Sequence, residues 1–573
     1  MGDHKDKSQV RASEEGIEFP SRCNSDGENN RLTDSGFDGG RRPKLSDMKF
    51  IMVLIGFGMT FVGSQVQALV FAAIIPRVSA DFGASDLLVW FFCTQQIATG
   101  VIAPFAGSLA DLFGRKRITL AGVLSSMLGM IVTAATPSAG GYLAGQVFAG
   151  MGVAVQELMA IAAIVEIVPT EKRGYYIAIV VASFFPFAPG SLYGALIAQA
   201  NWRYCAAMIA VWNFITAVII GVFYNPPARK NGAGLTLMEK FKRIDFVGGG
   251  IMTAGLVLLL VGLNCGQQYS WNSPRVIASL TIGIFLLIVF LLYESLWAPH
   301  PMFPGSLLKY RRTFLALMVV ILLAGINYVS LLIFWVLEAV AVYDSNQVEL
   351  GIRTIPYGFG IMGGAIISAI MISACKGYLR SIMTFFCVVQ TIGIGCMAAI
   401  NTHSISTAWA PLIFSLLGIG GVLIPNQIII TVICPDDLIA TATCLTACLR
   451  AVGQVIGTSI FYTQFVSALT SATYKTVVPA AITVGVTDFS ILEPMMGTLV
   501  AVPWKEWVID ALGSSIAPAK LSILHDAVLE AFNVAFCRVW YISIGFGVAA
   551  VAASLCIEDL SALMDGRIAV KYF

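Results

Sequence analysis

The chain has 573 residues, of which 57% are hydrophobic and only 12% charged, and its mean hydropathy is +0.81. Such a composition excludes a soluble globular fold and identifies an all-α polytopic membrane protein. The net charge of +2 comes from cations spread over short loops, not gathered on one face, so no nucleic acid partner is expected.

Residues 1–48 are rich in Ser, Gly, Asp and Arg. They lack the early apolar core of a secretory signal and are expected to form a disordered cytoplasmic tail. Beyond them, fourteen runs supply the roughly 20 apolar residues that a helix needs to cross the hydrocarbon core. They cover 50–74, 87–110, 118–136, 141–167, 175–199, 204–224, 246–264, 275–297, 314–340, 351–374, 381–400, 407–433, 439–465 and 536–556. An even number of spans puts both termini on one side. Arg77, Arg203, Arg275, Lys475, Lys505 and Lys520 fall in loops on one face, whereas the much larger remainder of the loop and tail cations falls on the other. That asymmetry places both termini in the cytoplasm.

Between the second and third spans runs Gly107-Ser-Leu-Ala-Asp-Leu-Phe-Gly-Arg-Lys-Arg117. Gly107 and Gly114 allow close helix approach and a tight turn, and Arg115, Lys116 and Arg117 mark the inner side. Asp111 ends the second span on the side where the thirteenth begins at Ile439. In the fold that the resemblance given below implies, this loop would touch the start of that span, so Gly107, Asp111, Gly114, Arg115 and Arg117 are expected to act as a conformational latch at the inner mouth, with Asp111 facing the positive end of the helix dipole. The alternative is a loop that only sets topology.

Residues 225–245 are basic on one side and apolar on the other. They read either as a helix lying on the inner membrane surface or as a solvated linker, and with the seventh and eighth spans they form the segment 225–297. The segment 466–535 is too long for a plain connection and is expected to hold a small folded or re-entrant piece on the outer face.

Ionisable groups inside spans are costly and are functional candidates by default. Glu157, near the middle of the fourth span, is the candidate for proton coupling. Desolvation favours the neutral form of a carboxyl, which would take up and release a proton as the cavity alternates between faces. A hydrogen-bonded structural Glu is the other reading. Arg450, midway along the thirteenth span, needs a counter-charge or several carbonyls. It suits either an acidic or carbonyl-rich substrate or an ion pair between helices. Glu338 and Arg353 lie toward outer helix ends, as a gate pair or as solvated termini. Amides in spans prefer the protein interior, so Gln65, Gln95, Gln156, Asn327, Asn426 and Gln427 are expected to line a substrate cavity together with Arg450. Phe187, Tyr193, Tyr328 and Trp335 would add flat apolar surface for a multi-ring ligand.

The 12 Cys show no disulfide framework or metal-ligand spacing, and many lie inside apolar runs. There is no His cluster and no Gly-x-x-x-x-Gly-Lys-Ser/Thr phosphate loop, so neither an enzyme nor an ATP-driven pump is expected. No metal or cofactor is expected either.

The order Gly-x-x-x-Asp-x-x-Gly-Arg-Lys-Arg resembles the loop between helices 2 and 3 of the major facilitator superfamily. The resemblance implies a major facilitator fold of two six-helix halves, with a substrate site between them near the mid-plane. Residues 49–224 would form the first half, and 225–297 would supply two inserted helices. The second half would comprise five helices in 298–465 and a last helix in 536–573. Pro186-Phe-Ala-Pro-Gly-Ser-Leu-Tyr-Gly194 lies where drug:proton antiporters carry a Gly-Pro-rich motif in the fifth helix, but here Ala188 precedes Pro189. Gln146 stands where their fourth helix carries Arg, which makes Glu157 the better coupling candidate.

Three further stretches narrow the resemblance. They are Gln156 to Gly174 with Trp202-Arg203, then Pro425 to Asp437, then Ile439-Ala-Thr-Ala-Thr with Arg450. They look like the fungal trichothecene efflux pump family, a fourteen-helix branch. This implies a monomeric plasma-membrane or vacuolar exporter of a secondary metabolite, mycotoxin or xenobiotic, driven by protons. The alternative is an importer of the related siderophore-iron group, with the same topology and the opposite direction. A receptor on this scaffold would call for a large folded cytoplasmic tail.

Overall fold

The computed structural model describes residues 48–558 except 85–86, 169–172, 227–237, 240–244, 299–301, 304–309, 376–377, 401–403, 435–437, 485–503 and 505–517. Among the described residues, fourteen helices are long and apolar enough to span a membrane. They are α1 Met48–Ala72, α2 Leu88–Ala110, α3 Arg115–Ala135, α4 Ala139–Val165, α5 Arg173–Asn201, α6 Arg203–Phe223, α7 Phe246–Gly266 and α8 Pro274–Leu296, followed by α9 Arg311–Ala341, α10 Gln347–Ala374, α11 Leu379–Met397, α12 Ile405–Ile433, α13 Thr441–Val484 and α14 Leu521–Leu555. Helices are the open-ended solution to a run of apolar residues in lipid, since each satisfies its own backbone groups.

The spans read from the sequence reappear within a few residues, except at the C-terminal end. There α13 continues to Val484 through a π-helical turn at Thr473–Val477, and α14 already begins at Leu521. A large part of 466–535, expected as a separate folded or re-entrant piece, is therefore an extension of two helices. The extensions stabilise each other, with Thr476 Oγ1 donating to Ala527 O at 3.2 Å, and at their roots the Phe465 and Phe536 rings lie 4.8 Å apart. The N-terminal tail and most of the basic stretch 225–245 lie outside the described residues.

Helices α1–α6 pack chiefly among themselves, as do α9–α14. Each group uses small residues where its third and fourth helices cross. A Cβ on Gly129 would lie 2.4 Å from Ala149 N, and one on Gly418 would lie 2.4 Å from Gln390 N. Such contacts bring backbones close in the absence of a hydrophobic drive between helices in lipid.

The two groups meet along two seams, α2 against α13 and α5 against α10. Overlaying the second group on the first in chain order pairs α10 with α2 and α13 with α5, so the seams are equivalent. Helices α7 and α8 pack as a pair, and α7 covers the α2–α13 seam, with Met252, Leu256 and Leu260 joining Cys93, Val101, Cys448 and Val452. Helix α8 is largely exposed, presenting Phe285, Ile288, Leu291 and Leu292 outward, as a lipid-facing helix would.

The groups touch at both ends of the α5–α10 seam. At one end a Cβ on Gly174 would be 2.5 Å from Ala369 O, and at the other a Cβ on Gly351 would be 2.8 Å from the Ala195 Cβ. Arg173 Nη1 donates to Thr431 O at 3.4 Å, and Arg77 Nη1 donates to Gln347 Oε1 at 2.8 Å. The groups therefore touch on both sides of the mid-plane.

Candidate functional site

Between the groups lies a cavity of about 820 Å³, open solvent at its mouth included, walled by residues of α1, α2, α4, α9, α10, α12 and α13. Its polar side is formed by Gln65 of α1, Gln95, Gln96 and Thr99 of α2, Glu157 of α4, and Arg450 and Gln454 of α13. Val153, Ile321, Ile361, Val422 and Leu423 supply the apolar remainder.

At its centre Arg450 Nη2 donates to both carboxylate oxygens of Glu157, at 2.6 and 2.5 Å. Their side chains are 16% and 6% exposed. Glu157 comes from the first group and Arg450 from the second, so the pair is a strut between them. Burying two charges costs several kcal/mol per ion, which their mutual attraction offsets. Of the two sequence readings of Arg450, the structure shows the ion pair between helices.

Gln156, one residue before Glu157, is turned about a hundred degrees around α4 and faces away from the cavity. Its Nε2 donates to Asn213 Oδ1 at 2.9 Å. Asn213 Nδ2 donates to Ser126 Oγ, which also accepts from Gln67 Nε2, and Gln67 Oε1 accepts from Gln95 Nε2 at 3.3 Å. A chain of amides thus runs from the cavity wall through the interior of the first group. Such a network is rigid when its members are satisfied.

Of the residues expected to line the cavity, Gln65, Gln95, Tyr328 and Arg450 are brought together around Glu157, and several others stand elsewhere. Phe187 packs on Trp212 with ring centroids 4.7 Å apart. Tyr193 is 38% exposed and donates to Pro186 O. Asn327 is hydrogen-bonded to Ser543 at 2.9 Å inside the second group, Trp335 Nε1 donates to Arg353 O at 3.1 Å, and Gln427 Nε2 donates to Thr446 Oγ1 at 3.1 Å. Asn426 is fully buried away from the lining. The physical reason is common to all of them: in a bundle, a polar side chain meets neighbouring helices on most of its possible headings, and only one heading opens on the central space.

Glu338 and Arg353 do not form a gate pair. Glu338 is buried at 6% exposure, so it is not a solvated helix end. Arg353 instead reaches Tyr343 O at 2.9 Å and pairs with Glu349 at 3.9 Å.

Ser64, Thr99, Ile361 and Gln454 were not singled out from the sequence. Gln454 lies four residues after Arg450 and Thr99 four after Gln95, the spacing that puts side chains on one helix face, and this signal would have found them.

A second cavity of about 480 Å³ adjoins the first and shares Gln65, Tyr328, Ile361 and Leu423 with it. Phe61, Phe184, Tyr357, Met362 and Ile424 line it. Tyr357 is held by donating its hydroxyl to Leu331 O at 2.6 Å, a carbonyl of the π-helical turn Ser330–Trp335 in α9. Phe184 comes from the break in α5, where Pro186 and Pro189 replace regular helix by a short 3-10 turn, Phe185–Phe187. That break sits on the seam: a Cβ on Gly358 would lie 2.0 Å from Ala188 O.

In the loop between α2 and α3, Gly114 has φ +89°, which side chains other than glycine rarely adopt. Gly107 and Arg115 are buried and Arg117 is exposed. Lys116 Nζ donates to Gly221 O and Asn225 Oδ1, at 2.7 and 2.5 Å, and so caps the end of α6. The side chain of Asp111, and with it the expected contact to Ile439, lies outside the described residues.

Comparison with known proteins adds three findings. The profile of the family described as "Fungal trichothecene efflux pump (TRI12)" matches residues 13–572. Among curated proteins, the trichothecene efflux pump TRI12 of Fusarium sporotrichioides is 22% identical over 533 residues, covering 91% of this chain and 88% of that protein. The MFS-type transporter ucsD of an Acremonium species is 27% identical, covering 72% and 70%, and the efflux pump bfoC of Aspergillus brasiliensis is 25% identical, covering 90% and 88%. Among solved structures, the proton:xylose symporter XylE, a major facilitator, aligns with a TM-score of 0.51 at 12% identity over 90% of this chain and 99% of that one. That likeness bears on the fold alone.

Proposed function

The chain belongs to the fungal trichothecene efflux pump family of major facilitator transporters, and from that premise we propose that it exports a secondary metabolite, mycotoxin or xenobiotic in exchange for protons. The observation that supports the reading is the Glu157–Arg450 pair, because it lies in the cavity wall and joins the two groups at once. Protonation of Glu157 removes the charge that Arg450 holds, loosens the strut and lets the groups part. Deprotonation restores it. A cargo that donates hydrogen bonds to the Glu157 carboxylate competes with the proton, which is the requirement for exchange. The membrane is the plasma membrane or the vacuolar membrane, and the working unit is one chain. The loop from Gly107 to Arg117 acts as a latch at the inner mouth, a role supported by the glycine-only turn at Gly114 and by the tie from Lys116 to the end of α6.

The test has two arms. Comparative metabolite profiling of cells with and without the gene, inside against outside, is expected to show a compound retained in the cells that lack it. Everted vesicles carrying the chain are then expected to accumulate that compound under an imposed pH gradient and to lose the accumulation in Glu157→Gln. Uptake of a labelled ferric siderophore that depends on the gene under iron limitation would overturn the export reading.

A further inference from the structure

We infer that Glu338 is an acid-operated catch on the outer side: its neutral acid holds α9, α10 and α14 together and keeps the outer mouth shut, and its ionised carboxylate lets that mouth open. The site is separate from the central cavity, and the inference stands whether or not cargo is exchanged for protons.

The first observation is a carboxyl without a bonded counter-charge. With both termini in the cytoplasm, α9 runs outward and Glu338 lies close to its end at Ala341. The residue is 6% exposed, and its Oε2 is buried with no hydrogen-bond partner among the described residues. Trp540 of α14 approaches the carboxyl, yet Trp540 Nε1 is buried and lacks a hydrogen-bond partner as well. The other titratable groups around it are Tyr343 in the turn after α9, Arg353 and Tyr357 on α10, and Cys537 on α14. Tyr357 gives its hydroxyl to Leu331 O at 2.6 Å, Cys537 Sγ donates to Ala398 O at 3.4 Å, and Arg353 pairs with Glu349 at 3.9 Å. A carboxylate enclosed in this way is strongly disfavoured, whereas the neutral acid is not. An ionisable group at such a place is a functional candidate by default.

The second observation is what the carboxyl lies behind. Arg353 Nη1 ties α10 to the end of α9 through Ala339 O at 3.5 Å and Tyr343 O at 2.9 Å, and Trp335 Nε1 donates back to Arg353 O at 3.1 Å. The start of α10 is thereby fixed to the segment that carries Glu338. That same start is the surface the second group presents to the first at the outer end of the α5–α10 seam. A Cβ on Gly351 would lie 2.8 Å from Ala195 Cβ and 3.0 Å from Leu192 Cα, and Gln347 Oε1 accepts from Arg77 Nη1 at 2.8 Å. The segment also has a joint, since the π-helical turn Ser330–Trp335 comes just before Glu338, and such turns are frequent at functional sites.

The direction of the effect follows from solvation. Water reaches the carboxylate only when the end of α9 parts from α10 and α14, so ionisation favours parting, and the start of α10 then leaves Leu192 and Ala195. Acid restores the neutral form and with it the closed arrangement. One proton linked to opening changes that equilibrium by at most about tenfold per pH unit. For an exporter in an acidic medium, such a catch shuts the outer mouth behind the released cargo.

The experiment follows a cysteine placed at Leu192 in the full chain, labelled from outside intact cells by a membrane-impermeant thiol reagent as the external pH is varied. Each rate is divided by that of a cysteine at Ala80, an exposed position between α1 and α2, so that thiol ionisation cancels, and the native cysteines set the background. The corrected rate is expected to fall by about tenfold from alkaline to acid medium. Glu338→Gln, neutral at every pH, is expected to label at the parent's acid rate throughout. Glu338→Asp keeps a titratable group in a new position and is expected to keep the dependence with its midpoint shifted. The double substitution Glu157→Gln with Arg450→Gln is expected to keep the dependence unshifted. A parent rate independent of pH, a Glu338→Gln variant that responds like the parent or labels fast at every pH, or an unshifted midpoint in Glu338→Asp overturns the inference. Loss of the dependence in the double variant assigns the response to the cavity pair and overturns it too. Dependence in the expected pattern without export driven by a pH gradient refutes the proton exchange proposed above and leaves the catch standing. Gradient-driven export with labelling independent of pH does the reverse.

Discussion

Breaking the strut between Glu157 and Arg450 has a consequence that can be worked out from its burial. Glu157→Gln leaves Arg450 charged in a wall where its side chain is only 16% exposed, and Arg450→Gln leaves the carboxylate in the mirror situation. Removing one partner of a buried pair costs about 3–5 kcal/mol, equivalent to roughly two to three and a half decades in an equilibrium constant. Because the partners come from different groups, the cost falls on the arrangement in which the groups are joined more than on either group alone. An open arrangement, where water reaches the orphaned charge, is favoured instead. The double substitution to Gln at both positions removes both charges and is expected to recover much of the loss, a non-additivity typical of contacting residues. The assay is the alkylation rate of a cysteine introduced at Ala324, a lining position, measured above the background of native cysteines. Single variants are expected to label on the order of a hundredfold faster. The double variant is expected to label near the parent rate, yet to be inactive in proton-driven export. Unchanged labelling in the single variants, or additive effects in the double, refutes the strut.

Gly358→Val puts a side chain where a Cβ already meets Ala188 O at 2.0 Å. Closure of the α5–α10 seam is expected to fail, with export lost, the protein still in the membrane, and the cavity accessible to thiol reagents. Gly114→Ala meets no neighbour, since a Cβ there faces open space, so its cost is the backbone alone. That cost is about 1–3 kcal/mol for a non-glycine residue in this region and is read as a lower unfolding temperature. Gln67→Leu removes the contacts to Gly63 O, Ser126 Oγ and Gln95. It is expected to destabilise the protein by about 1–3 kcal/mol in the same thermal assay.

The apolar runs of the sequence determined the number of crossing helices and their approximate limits, because the length of a lipid-spanning helix is set by the bilayer and needs no partner to be recognised. The loop Gly107 to Arg117 was equally legible: the turn needs a glycine at Gly114 whatever surrounds it. The extended ends of α13 and α14 were not, because those residues are polar enough to pass for a loop and become helical by packing on each other. The choice among polar residues was decided by tertiary structure. Gln156 and Glu157 are adjacent in the chain and equally unusual inside a span, yet one ends on Asn213 and the other on Arg450. Sequence alone could rank Glu157 and Arg450 as costly groups, each in need of a partner. It could not pair them, since they stand 293 residues apart and a helix face acquires its meaning only from the helix set against it.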